Sequence, residues 1–113
     1  MKQKQKKKYK YYQIYFWFIP EVAENFDDLL HYHMKEYLRE LLNKDSRSFL
    51  SIPQSELKEF FGNGHVCKRV YVDKETHEKW KLYPKVIRKR IFYLVNKKLT
   101  EVLKNEQRSQ STR

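Results

Sequence analysis

The chain has 113 residues, 40% of them apolar and 16% aromatic, enough for one small domain or two that lean on each other, with a thin core rich in Tyr and Phe. The formal charge of +11 is blocked rather than spread: residues 1–13 carry +6, residues 14–64 carry −4 and residues 65–113 carry +9, which points to an anionic polymer or surface as partner. The one cysteine, Cys67, excludes an intrachain disulfide, and the apolar run 14–19 is too short for a leader core or a membrane span, so the expectation is a soluble, intracellular (cytoplasmic) protein.

Residues 1–8, MKQKQKKK, have nothing to bury, and residues 1–13 are read as a basic flexible arm. Residues 9–19, YKYYQIYFWFI, are dense in aromatic and β-branched side chains and predict a strand that Pro20 ends. Ile14, Phe16 and Phe18 alternate as its core row. The same block interleaves cations with rings, the ingredients of a single-strand stacking platform, in which Tyr9, Tyr11, Tyr12 or Trp17 would stack on bases.

Residues 14–64 form an acidic strand and helical region, open to a protein partner. Within it, Val22, Phe26, Leu29, Leu30, His33, Tyr37, Leu38 and Leu41 recur at spacings of three and four, which predicts one amphipathic helix over 20–42 that starts near Pro20 or Asn25. Residues 43–48 read as a loop. A shorter helix is expected over 53–61, with Ser51 and Gln54 at capping-box spacing and Gly62 and Gly64 as its stop.

Residues 65–72, HVCKRVYV, alternate: Val66, Val70 and Val72 turn one way, Arg69 and Tyr71 the other, as in a strand with one apolar face. Asp73 is a good N-cap for a helix over 74–82, which Pro84 interrupts. A longer helix follows over about 85–105, its stripe made by Val86, Ile87, Ile91, Leu94, Val95, Leu99, Val102 and Leu103. Residues 107–113 are expected to fray. The fold class is mainly α with short strands: an N-terminal strand plus helical region, then a basic strand–helix–helix unit over 65–106.

That unit resembles the ribbon-helix-helix family of DNA-binding proteins over about residues 67–103. The resemblance is carried by Lys68-Arg69-Val70-Tyr71-Val72, by Asp73 through Trp80, and by the apolar seam from Val86 to Leu103. Val70, Val72, Thr76 and Trp80 take the family's inward places. Here only Tyr83-Pro84 joins the two helices. The resemblance implies a homodimer that pairs this strand between two copies and lays the ribbon in the major groove of double-stranded DNA. Cys67, Arg69 and Tyr71 would then face base edges. Lys68, Lys74, Lys85, Arg88 and Lys89 would contact phosphates. The implied role is transcriptional regulation. The alternatives are a protein that coats or packages nucleic acid without reading it, and an adaptor or inhibitor that meets an acidic protein. A winged helix-turn-helix with its recognition helix at 54–61 is the nearest rival fold, but Glu56 and Glu59 against Lys58 suit DNA poorly.

Enzymatic motifs are not expected to operate. His31-Tyr32-His33 has the spelling of a strand-borne metal motif, yet it falls inside a helix, where residues two apart point about 200° apart. His65 and Cys67 match no zinc spacing. There is no Gly-rich phosphate loop, nucleophile elbow or carboxylate pair. No cofactor and no metal are expected. Small size, abundant Lys and Tyr and the lone cysteine suggest a virus or plasmid product.

Overall fold

The computed structural model describes residues 12–111, with side chains through residue 106. Most of the basic arm, with Tyr9 and Tyr11, lies outside the described residues. The fold is mainly α with short strands, in the order β1 (Gln13–Phe18), α1 (Pro20–Glu24), α2 (Asp28–Leu42), a 3-10 turn (Ser46–Ser51), α3 (Gln54–Phe60), β2 (Val66–Tyr71), α4 (Lys74–Lys81) and α5 (Lys85–Ser111).

The strand β2 finds its partner inside the chain. It pairs antiparallel with β1, in the register Gln13–Tyr71, Tyr15–Arg69, Trp17–Cys67 and Phe18–Val66. The ribbon that the ribbon-helix-helix resemblance implies between two copies is thus formed within one chain, because β1 supplies the apolar row Ile14, Phe16 and Phe18 opposite Val70. The opposite edges of this two-stranded sheet are partly covered. The side chain of Asn96 accepts the Ile19 N–H at 2.9 Å and donates to the Trp17 carbonyl at 2.9 Å. On the far edge His31 Nε2 donates to the Tyr71 carbonyl at 3.0 Å.

The core lies between the inner face of the ribbon and α2, α4 and α5. Phe16, Phe18, Met34, Leu38, Ile91, Val95 and Leu99 are fully buried in it. It joins residues of the acidic region to residues of the basic one. Each such side chain contributes on the order of 1.5–3 kcal/mol relative to its exposed state. Val70, Val72, Thr76 and Trp80 are all buried.

Several local expectations are corrected. The helix over 20–42 is two helices, broken at Asn25–Asp27. The Asn25 side chain donates to the Glu21 carbonyl at 2.8 Å, and Asp27 accepts the Leu30 N–H at 3.0 Å. Short polar side chains here offer the backbone partners that end one helix and start the next. The inward seam of α2 runs through Leu30, Met34, Leu38 and Leu41, while Leu29 is 44% exposed. Ser51 does not cap α3: its hydroxyl donates to the Ser48 carbonyl at 3.0 Å, and Pro53 occupies the N-cap without a side-chain bond. Val66 is on the same side of the sheet as Val70 but lies at the end of the ribbon and is 41% exposed. Asp73 caps α4 as expected, with its carboxylate accepting the Thr76 N–H at 2.8 Å. The last helix continues past Asn105 to Ser111.

Candidate nucleic-acid interface

Strand alternation sorts the ribbon into two faces. Ile14, Phe16 and Phe18 are buried, so Gln13, Tyr15 and Trp17 stand on the outer face. The register places Tyr71, Arg69 and Cys67 beside them. The Val72 N–H donates to the Tyr12 carbonyl at 2.8 Å. Hydrogen-bonded and non-hydrogen-bonded pairs alternate from there, so Tyr15–Arg69 is a non-hydrogen-bonded pair, the kind whose side chains lie closest. Tyr15 is 66% exposed, Tyr71 is 47% exposed, and Arg69 and Cys67 are exposed too. Neither Arg69 nor the Tyr15 hydroxyl has a bonded partner among the described residues.

The start of α5 runs beside β1. Lys85, Arg88 and Lys89 line a cleft of about 260 Å³ with Tyr15, Trp17 and Phe92. A second cleft, of about 280 Å³, lies between Trp17, Leu57, Phe61 and His65, with Gln54, Lys58 and Lys89 at its polar side. Trp17 and Lys89 belong to both. The Trp17 ring is stacked on His65, with centroids 4.0 Å apart, and on Phe92, 5.4 Å apart. Those contacts fix the wall between the clefts.

The second cleft's far wall is α3, which Tyr93 holds on α5. The Tyr93 hydroxyl donates to the Glu56 carboxylate, and Lys97 Nζ donates to the same hydroxyl at 3.3 Å. Burial first, and then the Glu56 carboxylate, push the Tyr93 phenol up from its ordinary range. The bond to Tyr93 raises the Lys97 ammonium as well. Glu56 is therefore turned into the scaffold, and among the described residues no carboxylate lines either cleft.

Of the expected base-contacting residues, Cys67, Arg69 and Tyr71 share the outer face. Of the expected phosphate contacts, Lys85 and Lys89 are without a bonded partner among the described residues. Arg88 is committed otherwise: one guanidinium nitrogen donates to the Trp80 carbonyl at 2.9 Å, and the group lies 5.2 Å from the centre of the Trp80 ring. Lys74 is exposed in the first turn of α4. Lys68, opposite Phe16, belongs to the inward row and is half-buried, because strand alternation puts it with Val70 rather than Arg69. Tyr12 is half-buried against His77, with ring centroids 5.6 Å apart.

The sequence reading missed Tyr15, Gln54 and Lys58 at this surface. Tyr15 was legible from the alternation of Ile14, Phe16 and Phe18. Gln54 and Lys58 had no local signal, since only the packing of α3 on α5 brings them to Trp17. His31 and His33 lie on α2. Among the described residues no three of His, Cys, Asp and Glu gather as a metal site, and no helix is long and apolar enough to cross a membrane.

No family model, curated protein or solved structure matches the chain.

Proposed function

We propose that this protein is a non-enzymatic DNA-binding protein whose contact surface is the outer face of the β1–β2 ribbon together with the start of α5. One observation carries the reading: Tyr15, Arg69 and Tyr71 are exposed on one face beside Lys85 and Lys89, cations left without partners among the described residues. Exposed rings and unpaired cations on one surface supply the two things nucleic acid offers a partner for, base faces or edges and phosphates. The duplex form of the reading follows the ribbon-helix-helix resemblance. Arg69 would hydrogen-bond a guanine edge, Cys67 and Tyr71 would flank it, and Lys85 and Lys89 would hold phosphates, as in a transcriptional regulator.

The expected homodimer acquires a different geometry. Strand β2 has its second edge open at Cys67 and Arg69, with no strand beside it among the described residues. A second copy would add there and extend the ribbon to four strands. Non-specific coating of nucleic acid is the second reading. It is favoured by the partnerless lysines Lys58, Lys85 and Lys89 around Trp17, which attract phosphate whatever the sequence.

Titration of labelled DNA, with random duplex as competitor, tests the proposal. Arg69→Ala should weaken binding to a selected site about tenfold or more while leaving random duplex little changed, as expected for a base contact worth roughly 1–3 kcal/mol. Lys85→Ala should weaken both equally. Equal losses for both variants would favour coating over reading. Absence of binding at low salt would remove the nucleic-acid reading and promote an acidic protein partner.

A further inference from the structure

The outer face carries its most exposed ring, Tyr15, at the edge of two successive clefts that a base pair in a groove does not use. On one side is the cleft between Trp17 and the start of α5, and beyond the Trp17 wall is the cleft against His65 and Phe61. In duplex DNA the base faces are hidden in the stack, and a protein meets only base edges and phosphates. Ring faces and ring-lined clefts are useful to a strand whose bases are unpaired, because every base has a face to stack.

The polar lining fits the same ligand. Lys89 stands at the junction of the two clefts, where a backbone passing from one to the other would place a phosphate. Lys85 extends the track at one end and Lys58 at the other. None of the three has a bonded partner among the described residues. Gln54, also without one, supplies both a donor and an acceptor at the second cleft, which suits the edge of a base. The wall between the clefts is already fixed by the His65–Trp17–Phe92 contacts, so little ordering is needed when a ligand arrives.

We infer that the strand bound at this surface is an unpaired nucleic acid, one base lying on Tyr15 and the next in the His65–Phe61 cleft, with the phosphate between them on Lys89. This rests on the nucleic-acid reading above and replaces its duplex form.

The test is fluorescence anisotropy on the full chain with labelled mixed-sequence oligonucleotides of about 12 nucleotides, as single-stranded DNA, as single-stranded RNA, and as DNA duplex. The expected result is that at least one single strand binds about tenfold or more tighter than the duplex at the same salt. Tyr15→Ala should lose about tenfold on the single strand and Tyr15→Phe should keep wild-type binding, since the ring and not the hydroxyl carries the contact. Lys89→Ala, which removes no ring, gives an independent loss and a lower salt dependence. The two single strands distinguish DNA from RNA as the source of the unpaired strand. Duplex binding as tight as or tighter than both single strands overturns the inference and leaves DNA binding standing. So does an unchanged affinity in Tyr15→Ala together with Lys89→Ala. Binding to none of the three polymers overturns the inference and the nucleic-acid reading together.

Discussion

Asp73 is the N-cap residue of α4, two residues after β2 ends, and its two carboxylate oxygens have separate duties. One accepts the Thr76 N–H at 2.8 Å; the other meets Arg39 of α2 at 3.1 Å. The Thr76 bond first, and then Arg39, hold the carboxyl below the usual carboxylate range. A group whose folded pKa is depressed stabilises the fold above its unfolded value, near pH 4, and that stability is lost as pH falls through the folded value. Asp73→Ala should therefore cost about 1 kcal/mol at pH 7, the usual worth of an N-cap. The exposed ion pair to Arg39 adds little to that. Urea unfolding at pH 7 and pH 3 measures it: the gap between wild type and variant should shrink at the lower pH. Asp73→Asn should keep most of the cap and lose much of the acid sensitivity. A gap that stays constant with pH would mean the carboxylate charge has no part in the cap.

At the scale of elements, the pieces most legible in the sequence are those whose signals are local. Asp73 before a helical stripe, Pro84 between helices and the alternation of Val70 and Val72 each act within a few residues, and each holds. The partner of β2 was not legible, because pairing depends on which strand the rest of the chain delivers. Met34 and Phe92 were not placed in their helices' seams, because seam position is set by what packs against the helix. Asn96 is the clearest case of a hidden polar role. It is fully buried, yet in sequence it ends the apolar run 91–95 just before Lys97-Lys98 and looks like the start of a polar face. In the fold its amide closes the open edge of β1, with a third bond to the Phe92 carbonyl at 2.7 Å. Asn96→Ala would strand the Ile19 N–H and the Trp17 carbonyl, each costing about 1–3 kcal/mol if water does not reach it. The expected loss is roughly 2–6 kcal/mol by chemical denaturation. Faster amide exchange should appear at Ile19, the end of the ribbon that also carries Trp17. A stable variant with unchanged exchange at Ile19 would show that the edge needs no such closure.

For the whole molecule, the question is how blocked charge and an open strand edge act together. The core unites the acidic and basic regions, so the negative charge of residues 14–64 is carried on the same body as the cations of α5. Three of those acids are turned toward local partners, Glu36 to Arg39, Asp45 to Arg47 and Glu56 to Tyr93, and in the basic region Asp73 meets Arg39 and Glu75 meets Lys79. The clefts beside Trp17 keep cations without carboxylates, and this separation should set the salt response. For a single strand, log K falls with log salt at about −0.7 per phosphate neutralised, and for duplex at about −0.9. Lys85→Ala and Lys89→Ala should each flatten the slope by roughly one such contact, and the double variant by two. Glu36→Ala, distant in role, should leave it unchanged. Dimerisation through the β2 edge would alter the result in a measurable way. Two copies joined there would present two tracks, so the slope per complex would double above the concentration at which light scattering registers the pair. A slope independent of protein concentration, with a mass that stays at one chain, would assign the whole interface to the single-chain ribbon.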